Sequence, residues 1–272
     1  MRNSTNNNQY FVAFVDILGF KELVSSSNRA KLNECFTVCE TLIRYWRETD
    51  SKSAFKVYNF SDSIVILVPV QIGREKILFK HLCIALAELQ FHLAKNNIWI
   101  RGGVSCGEME ISESSVNDEQ KFLRMYGKPL IESYEIESKI AKYPRIVVSP
   151  SVIEFLNFDT ASDMSEKINE GISYSNWKGD VLFTWPNKPN RISHDVSLFI
   201  DYLEYLFHDF GNFGEENKSE EFVEVVRRNI NKSPQHYEKY RWVADYLITK
   251  FESKSGLEQN KFVHYTKKLH KI

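Results

Sequence analysis

The chain lacks an excess of either charge: 35 Lys and Arg stand against 36 Asp and Glu, for a formal net charge of -1. That excludes a broad electrostatic grip on DNA or RNA, while leaving room for a local basic cluster around a small anion. Cysteine is scarce. Cys35, Cys39, Cys83 and Cys106 form neither a CxxC pair nor, with histidine, a zinc-binding spacing. Reduced, buried thiols of a cytosolic protein are expected. No apolar run approaches the roughly 20 residues that span a bilayer. The polar stretch Asn3 to Gln9 has no signal-like apolar region. The expectation is a soluble, cytoplasmic protein that neither inserts in a membrane nor binds nucleic acid. Internal repeats are also missing.

What is present is a 43% hydrophobic composition, enough for a substantial core, and a readable order of elements. Tyr10 to Ile17 is a short apolar run ending in an acid, and reads as a central strand. Leu32, Cys35, Phe36, Cys39, Leu42, Ile43 and Trp46 recur at helical spacing. Phe55 to Phe60 and Ile64 to Val70 read as a hairpin with Ser61-Asp62-Ser63 at its tip. Glu75 to Lys95 reads as a second helix, and Ile98 to Gly107 as a fourth strand carrying Arg101-Gly102-Gly103. This β-α-β-β-α-β order predicts an α+β, ferredoxin-like core. Ser112 to Gln120 reads as a polar loop, Lys128 to Lys142 as a helix, Ile146 to Ser149 as a strand and Ser149 to Phe155 as a short helix. Ile172 to Trp177 and Val181 to Trp185 read as a late hairpin around Lys178-Gly179-Asp180. Pro186 to Asn190 suggests a boundary. Residues 1–186 would form the main domain and 191–272 a helical appendage, with helices at roughly His194 to Asp209, Ser219 to Ile230, Pro234 to Phe251 and Leu257 to His270.

Asp16 closes the first strand and Asp62 sits in the hairpin tip. In a βαββαβ sheet these two places converge. Two adjacent carboxylates repel unless cations sit between them, and hard divalent cations favour such oxygen ligands together with substrate phosphates. The competing reading is that each acid merely caps a turn.

Phe14-Val15-Asp16-Ile17-Leu18-Gly19-Phe20 resembles the F-x-D-I-x-G-F signature of class III nucleotidyl cyclases. Phe60-Ser61-Asp62-Ser63 stands at that family's second metal acid, usually preceded by glycine. Ile100-Arg101-Gly102-Gly103-Val104-Ser105-Cys106-Gly107 resembles its R-x-G-I-H-x-G strand, and Tyr126-Gly127-Lys128-Pro129-Leu130-Ile131 its helix start. The resemblance covers about Tyr10 to Trp185 and is nearest to the pyrimidine cyclases of bacterial anti-phage signalling, the Pycsar branch. It implies a palm-type core that binds two Mg²⁺ or Mn²⁺ through Asp16, Asp62 and the Ile17 carbonyl. The product would be a cyclic nucleotide read by a separate effector. It also implies a homodimer whose sites are shared between chains. Arg101 would contact phosphate, or serve as a structural ion-pair partner. Lys178 would bind the triphosphate, or be a plain surface lysine.

The departures from the family carry the specificity argument. Tyr58 and Arg124 stand where adenylate cyclases keep a base-contacting lysine and aspartate. Tyr58 adds bulk and a hydroxyl, and Arg124 a planar donor fork, which suits a pyrimidine carbonyl. The alternatives are an ordinary strand tyrosine and a loop arginine facing water. Ile131 and Glu135 stand where the family keeps a transition-state asparagine and arginine, and neither can donate to an oxyanion. Either another donor, such as Lys128 or Arg124, replaces them, or the chain binds nucleotide without turnover. A complete G-G-D-E-F signature, which would point to joining two nucleotides, is missing.

Overall fold

The computed structural model describes residues 8–25, 29–49, 55–115, 121–171, 179–186, 197–207, 218–232, 236–254 and 259–271. Strand β1 (Gln9–Ile17) is followed by helices α1 (Phe20–Ser25) and α2 (Arg29–Thr49), strands β2 (Lys56–Phe60) and β3 (Ser63–Pro69), helix α3 (Glu75–Lys95) and strand β4 (Ile100–Glu108). These four strands lie in the order β2-β3-β1-β4, and every neighbouring pair is antiparallel. That is the ferredoxin-like arrangement, in which β1 is inserted beside the second strand of the hairpin.

Side-chain alternation along β1 divides the molecule. Phe11, Ala13, Val15 and Ile17 join the large core with Cys35, Cys39, Leu42 and Trp46 of α2 and the long apolar face of α3. The four-three-four spacing of those α2 residues keeps them on one helix face. The Trp46 indole donates to Glu88 of α3 at 2.9 Å, which satisfies a polar group at that seam. All four cysteines are free and buried. By length and composition α3 is a candidate to cross a membrane, but 78% of its apolar window is buried. It is the central core helix here.

The opposite face of β1 carries Tyr10, Val12, Phe14 and Asp16. Here Val12 packs with Val65, Leu67 and Met109 in a smaller cluster bordered by Tyr58, Ile111, Met125 and Leu130. The cover comes from a second hairpin, β5 (Glu110–Ser115) and β6 (Lys121–Tyr126), and from helix α4 (Lys128–Glu135). The polar loop expected from Ser112 thus begins as strand. Only alternate residues of β5 meet the sheet, so few apolar side chains mark it. The helix expected to Lys142 leaves α geometry at Ile136. Ile136–Ile140 is a π-helical turn, closed by Ala141 N–H donating to the Ile136 carbonyl at 2.8 Å.

Strand β7 (Ile146–Val148) adds to β4 in parallel and leads into α5 (Pro150–Phe155), capped by Ser149. Helix α6 (Ala161–Gly171) follows, an element the sequence pattern did not signal. Strand β8 (Leu182–Phe183) pairs with β9 (Phe199–Ile200), not with an upstream partner among the described residues. Ile172 to Lys178 lie outside them. The expected helix from His194 is corrected too: β9 completes the main sheet beside β7, and Tyr202–Leu206 is a 3-10 helix. Its aromatic residues satisfy helical spacing, but pairing with β7 supplies backbone hydrogen bonds that fix Phe199–Ile200 extended. Helices α7 (Lys218–Lys232), α8 (Tyr237–Ser253) and α9 (Gln259–His270) agree with the expected positions. They join the large core, with Phe222 stacked on Phe91 of α3 at 5.8 Å.

Candidate active site

Three elements meet at one end of β1. Asp16 is opposite Ser63 of β3 on one side and Arg101 of β4 on the other. Asp62 lies in the two-residue turn between β2 and β3. The amide of Ile17 donates to the Asp62 carbonyl at 3.1 Å, so the hairpin tip is tied to the strand end by the backbone. Ser61 has φ +61°. A tight hairpin with positive φ at its first turn residue favours glycine there, and the cyclase pattern has glycine at that place. Serine accepts a sterically costly conformation at the residue that aims Asp62.

The electrostatics of the site are one-sided. Burial pushes the Asp16 pKa up, the nearby Asp62 carboxylate pushes it further, and Arg101 partly offsets both. A third acid, Glu137, stands in the π-helical turn with its side chain 4% exposed. Its pKa is also raised, by burial first, with Arg101 opposing and Asp16 and Asp62 adding to the rise. Two carboxylates therefore flank one guanidinium, and the Asp62 charge acts on both of them. Arg101 Nη2 lies 2.7 Å from Glu137 Oε1, whereas its Nε lies 3.7 Å from Asp16 Oδ2. The second distance is too long for a hydrogen bond, and the first is an ion pair without hydrogen-bond geometry, since both Arg101 Nε and Glu137 Oε1 are buried without a hydrogen-bond partner. Uncompensated negative charge on oxygen donors fits hard divalent cations. Asp16 and Asp62 are the residues that could hold them, with the Ile17 carbonyl.

The sequence did not single out Glu137, although a signal was there. Ser133 and Glu137 are four apart and both buried. They form an inward stripe in which an acid stands out. The glycines of β4 allow this packing: a Cβ on Gly103 would collide with the Ser133 carbonyl and come within 2.7 Å of Ile136 Cβ.

The other predicted residues are more scattered. Tyr58, on β2, is half-buried, and its pKa is raised by burial and then by Glu113 of β5. Arg124, on β6, is exposed and lies over the Phe122 ring at 5.5 Å. Alternation along β6 turns Met125 toward the sheet and Phe122, Arg124 and Tyr126 away from it. Within one chain Arg124 thus faces away from the face on which Tyr58 packs. Lys128 opens α4 and is exposed. Ile131 is exposed, and Glu135 pairs with Lys139 at 2.7 Å on the surface. Lys178 lies outside the described residues.

A second acidic group, Asp180, Asp201 and Glu204, has ligand atoms within 4.8 Å of one another. It already holds a cation of the chain itself. Lys250 Nζ lies 2.6 Å from Asp201 and 2.5 Å from Glu204.

The class these features define is an α+β protein with a ferredoxin-like palm sheet, an acid pair at one strand end and added helices. No protein-family model matches the sequence, and no curated protein matches it either. Solved structures with a similar arrangement include cyclase domains. The guanylyl cyclase Cya2 aligns with a TM-score of 0.45 and 13% identity, covering 72% of this chain and 92% of that one. The guanylate cyclase domain of RhGC from Catenaria anguillulae, in complex with GTP, gives 0.45 and 14%, covering 71% and 96%. A bacterial light-regulated adenylyl cyclase gives 0.46 and 12%, covering 83% and 58%. The fold assignment here stands on the strand order itself.

Proposed function

We propose that the chain is a nucleotidyl cyclase that converts a pyrimidine nucleoside triphosphate, UTP ahead of CTP, to the 3′,5′-cyclic monophosphate and pyrophosphate. The observation that carries this reading is the convergence of Asp16 and Asp62 at the end of β1, with Asp16 driven toward protonation by burial and by its neighbour. Asp16, Asp62 and the Ile17 carbonyl would hold two Mg²⁺ or Mn²⁺. Such ions activate an attacking oxygen and stabilise a leaving pyrophosphate. In the reaction the O3′–Pα bond forms, the bond from Pα to the pyrophosphate bridging oxygen breaks, and the 3′-hydroxyl proton is lost. Residues 1–186, with β9 joining their sheet, would carry this chemistry in the cytoplasm, and helices α7 to α9 would brace α3. The product would serve as an anti-phage second messenger for a separate effector protein.

The site would be shared in a homodimer. Phe60, Phe122, Tyr126, Ile131 and Tyr134 are exposed, Tyr126 to 63%. Exposed aromatic and aliphatic side chains grouped on a palm, its covering hairpin and α4 suit burial against a second copy. Tyr58 would close the base pocket by its bulk. Arg124, facing away from it, would reach a base only on a partner chain. Lys128 and Lys178 would meet the triphosphate.

A second reading is a nucleotide-binding module without turnover. The exposed Ile131 and the Glu135–Lys139 pair favour it, since neither side chain of α4 offers a free donor.

The test is incubation of the purified protein with each of the four nucleoside triphosphates and Mn²⁺, with products identified by mass spectrometry. The expected result is cyclic UMP or CMP, preferred over purine products by about a hundredfold in kcat/KM, roughly 2.7 kcal/mol. Equal turnover of ATP and UTP would sink the pyrimidine assignment and leave a purine cyclase. Nucleotide binding with no cyclic product from any substrate would establish the binding module.

A further inference from the structure

Glu137 is buried and belongs to the π-helical turn Ile136–Ile140, which follows α4 where the helix crosses β4. Such turns inside helices are frequent at functional sites. Gly103 lets this segment approach the strand two residues from Arg101. The result is an uneven fork. Arg101 Nη2 is ion-paired with Glu137 Oε1 at 2.7 Å without hydrogen-bond geometry, and Nε lies farther away, 3.7 Å from Asp16 Oδ2. A guanidinium forms its strongest pair when two of its N–H groups meet one carboxylate side by side. Without Glu137, Asp16 is the adjacent acid on which Arg101 would close, and that pair would neutralise a proposed cation ligand.

We infer that Glu137 is a positioning residue: by anchoring Arg101, it keeps the guanidinium from closing on Asp16 and leaves that carboxylate to a divalent cation. The inference rests on the proposal that Asp16 and Asp62 hold cations. It also departs from the phosphate-contacting role that the resemblance implies for Arg101. A guanidinium held by charge between two carboxylates is poorly placed to clamp a phosphate.

The experiment measures Mn²⁺ binding to the full chain by loss of the free-ion electron paramagnetic resonance signal, without nucleotide. Wild type, Glu137→Gln, Arg101→Gln and the double variant are compared, with thermal melts recorded in the absence of metal. Glu137→Gln should weaken Mn²⁺ binding by about tenfold, as loss of a partner that orients a metal ligand does. In the Arg101→Gln background the same change should alter binding by less than about twofold, because the residue it acts through is gone. Unchanged affinity in Glu137→Gln would overturn the inference. So would equal losses in both backgrounds, which would make Glu137 a ligand or a general source of field. If Glu137→Gln fails to fold, the comparison of Arg101→Gln with the double variant decides: weaker binding in the double variant overturns the inference, and equal or tighter binding supports it. A wild type that binds no Mn²⁺ removes the cation site itself, and with it the proposed function.

Discussion

The amide of Ile17 donates to the carbonyl of Asp62 at 3.1 Å, next in the chain to Asp16. This backbone hydrogen bond, with the β1–β3 ladder that places Asp16 opposite Ser63, brings together two acids from elements more than forty residues apart. The acids are placed by main-chain geometry, and their side chains can be changed without disturbing the strand end.

Asp16→Ala and Asp62→Ala should each abolish cyclase turnover while leaving the melting temperature unchanged or higher, because each removes a proposed cation ligand and relieves like-charge repulsion. Product formation by mass spectrometry and thermal melts check this together. Turnover within a few-fold of wild type in either variant would rule out a mechanism built on these acids.

The shared-site proposal predicts complementation. An Asp16→Ala chain and an Arg124→Ala chain, each inactive or weak alone, should regain roughly a quarter of the wild-type rate when mixed equally. Half the dimers would be mixed, and each of those would hold one intact site. With subunit exchange verified by mass, a mixture no more active than its parts would place the whole site in one chain.

Gly103→Ala should be strongly destabilising. The new Cβ collides with the Ser133 carbonyl and with Ile136, both parts of a helix packed on the strand. Overpacking of this kind costs about 1–3 kcal/mol. The midpoint of urea unfolding should fall accordingly, and any residual Mn²⁺ affinity should fall with it as the π-helical turn is pushed off β4. A midpoint equal to wild type would mean that α4 does not sit against Gly103.

Lys250→Met tests the second acidic group. Lys250 is buried between Asp201 and Glu204, and Tyr246 donates to Asp201 at 2.5 Å. Burial works against the ammonium, but the two carboxylates more than offset it and hold the Lys250 pKa above its ordinary value. Removing the lysine takes the cation from buried Asp201, while Glu204 keeps Lys254 at 2.7 Å; breaking a buried pair in this way costs about 3–5 kcal/mol. A loss below about 1 kcal/mol in urea unfolding, or restored stability on adding Mn²⁺, would show that a metal ion belongs there instead.

Short-range features settled much of this molecule. The apolar run before Asp16, the β2–β3 turn and the periodicity of Glu75 to Lys95 each carry enough local preference to declare themselves, and their order alone implies the ferredoxin-like sheet. The pairing of Asp16 with Asp62 was legible for the same reason, since it follows from strand order. Other features required the assembled fold. Strand β5 has little apolar content because one of its faces meets solvent, so its extended form depends on pairing with β6. Phe199–Ile200 obeys helical spacing yet becomes a strand, because β7 and β8 offer its backbone partners. Alternation in β6 separates Arg124 from Tyr58, which matching of positions to a family pattern could not reveal. The role of Glu137 depends most on tertiary structure. Its burial and its ion pair with Arg101 arise because a glycine on β4 lets a π-helical turn approach a strand more than thirty residues earlier in the chain. That contact leaves only an acid on an inward helix stripe as its trace in the sequence.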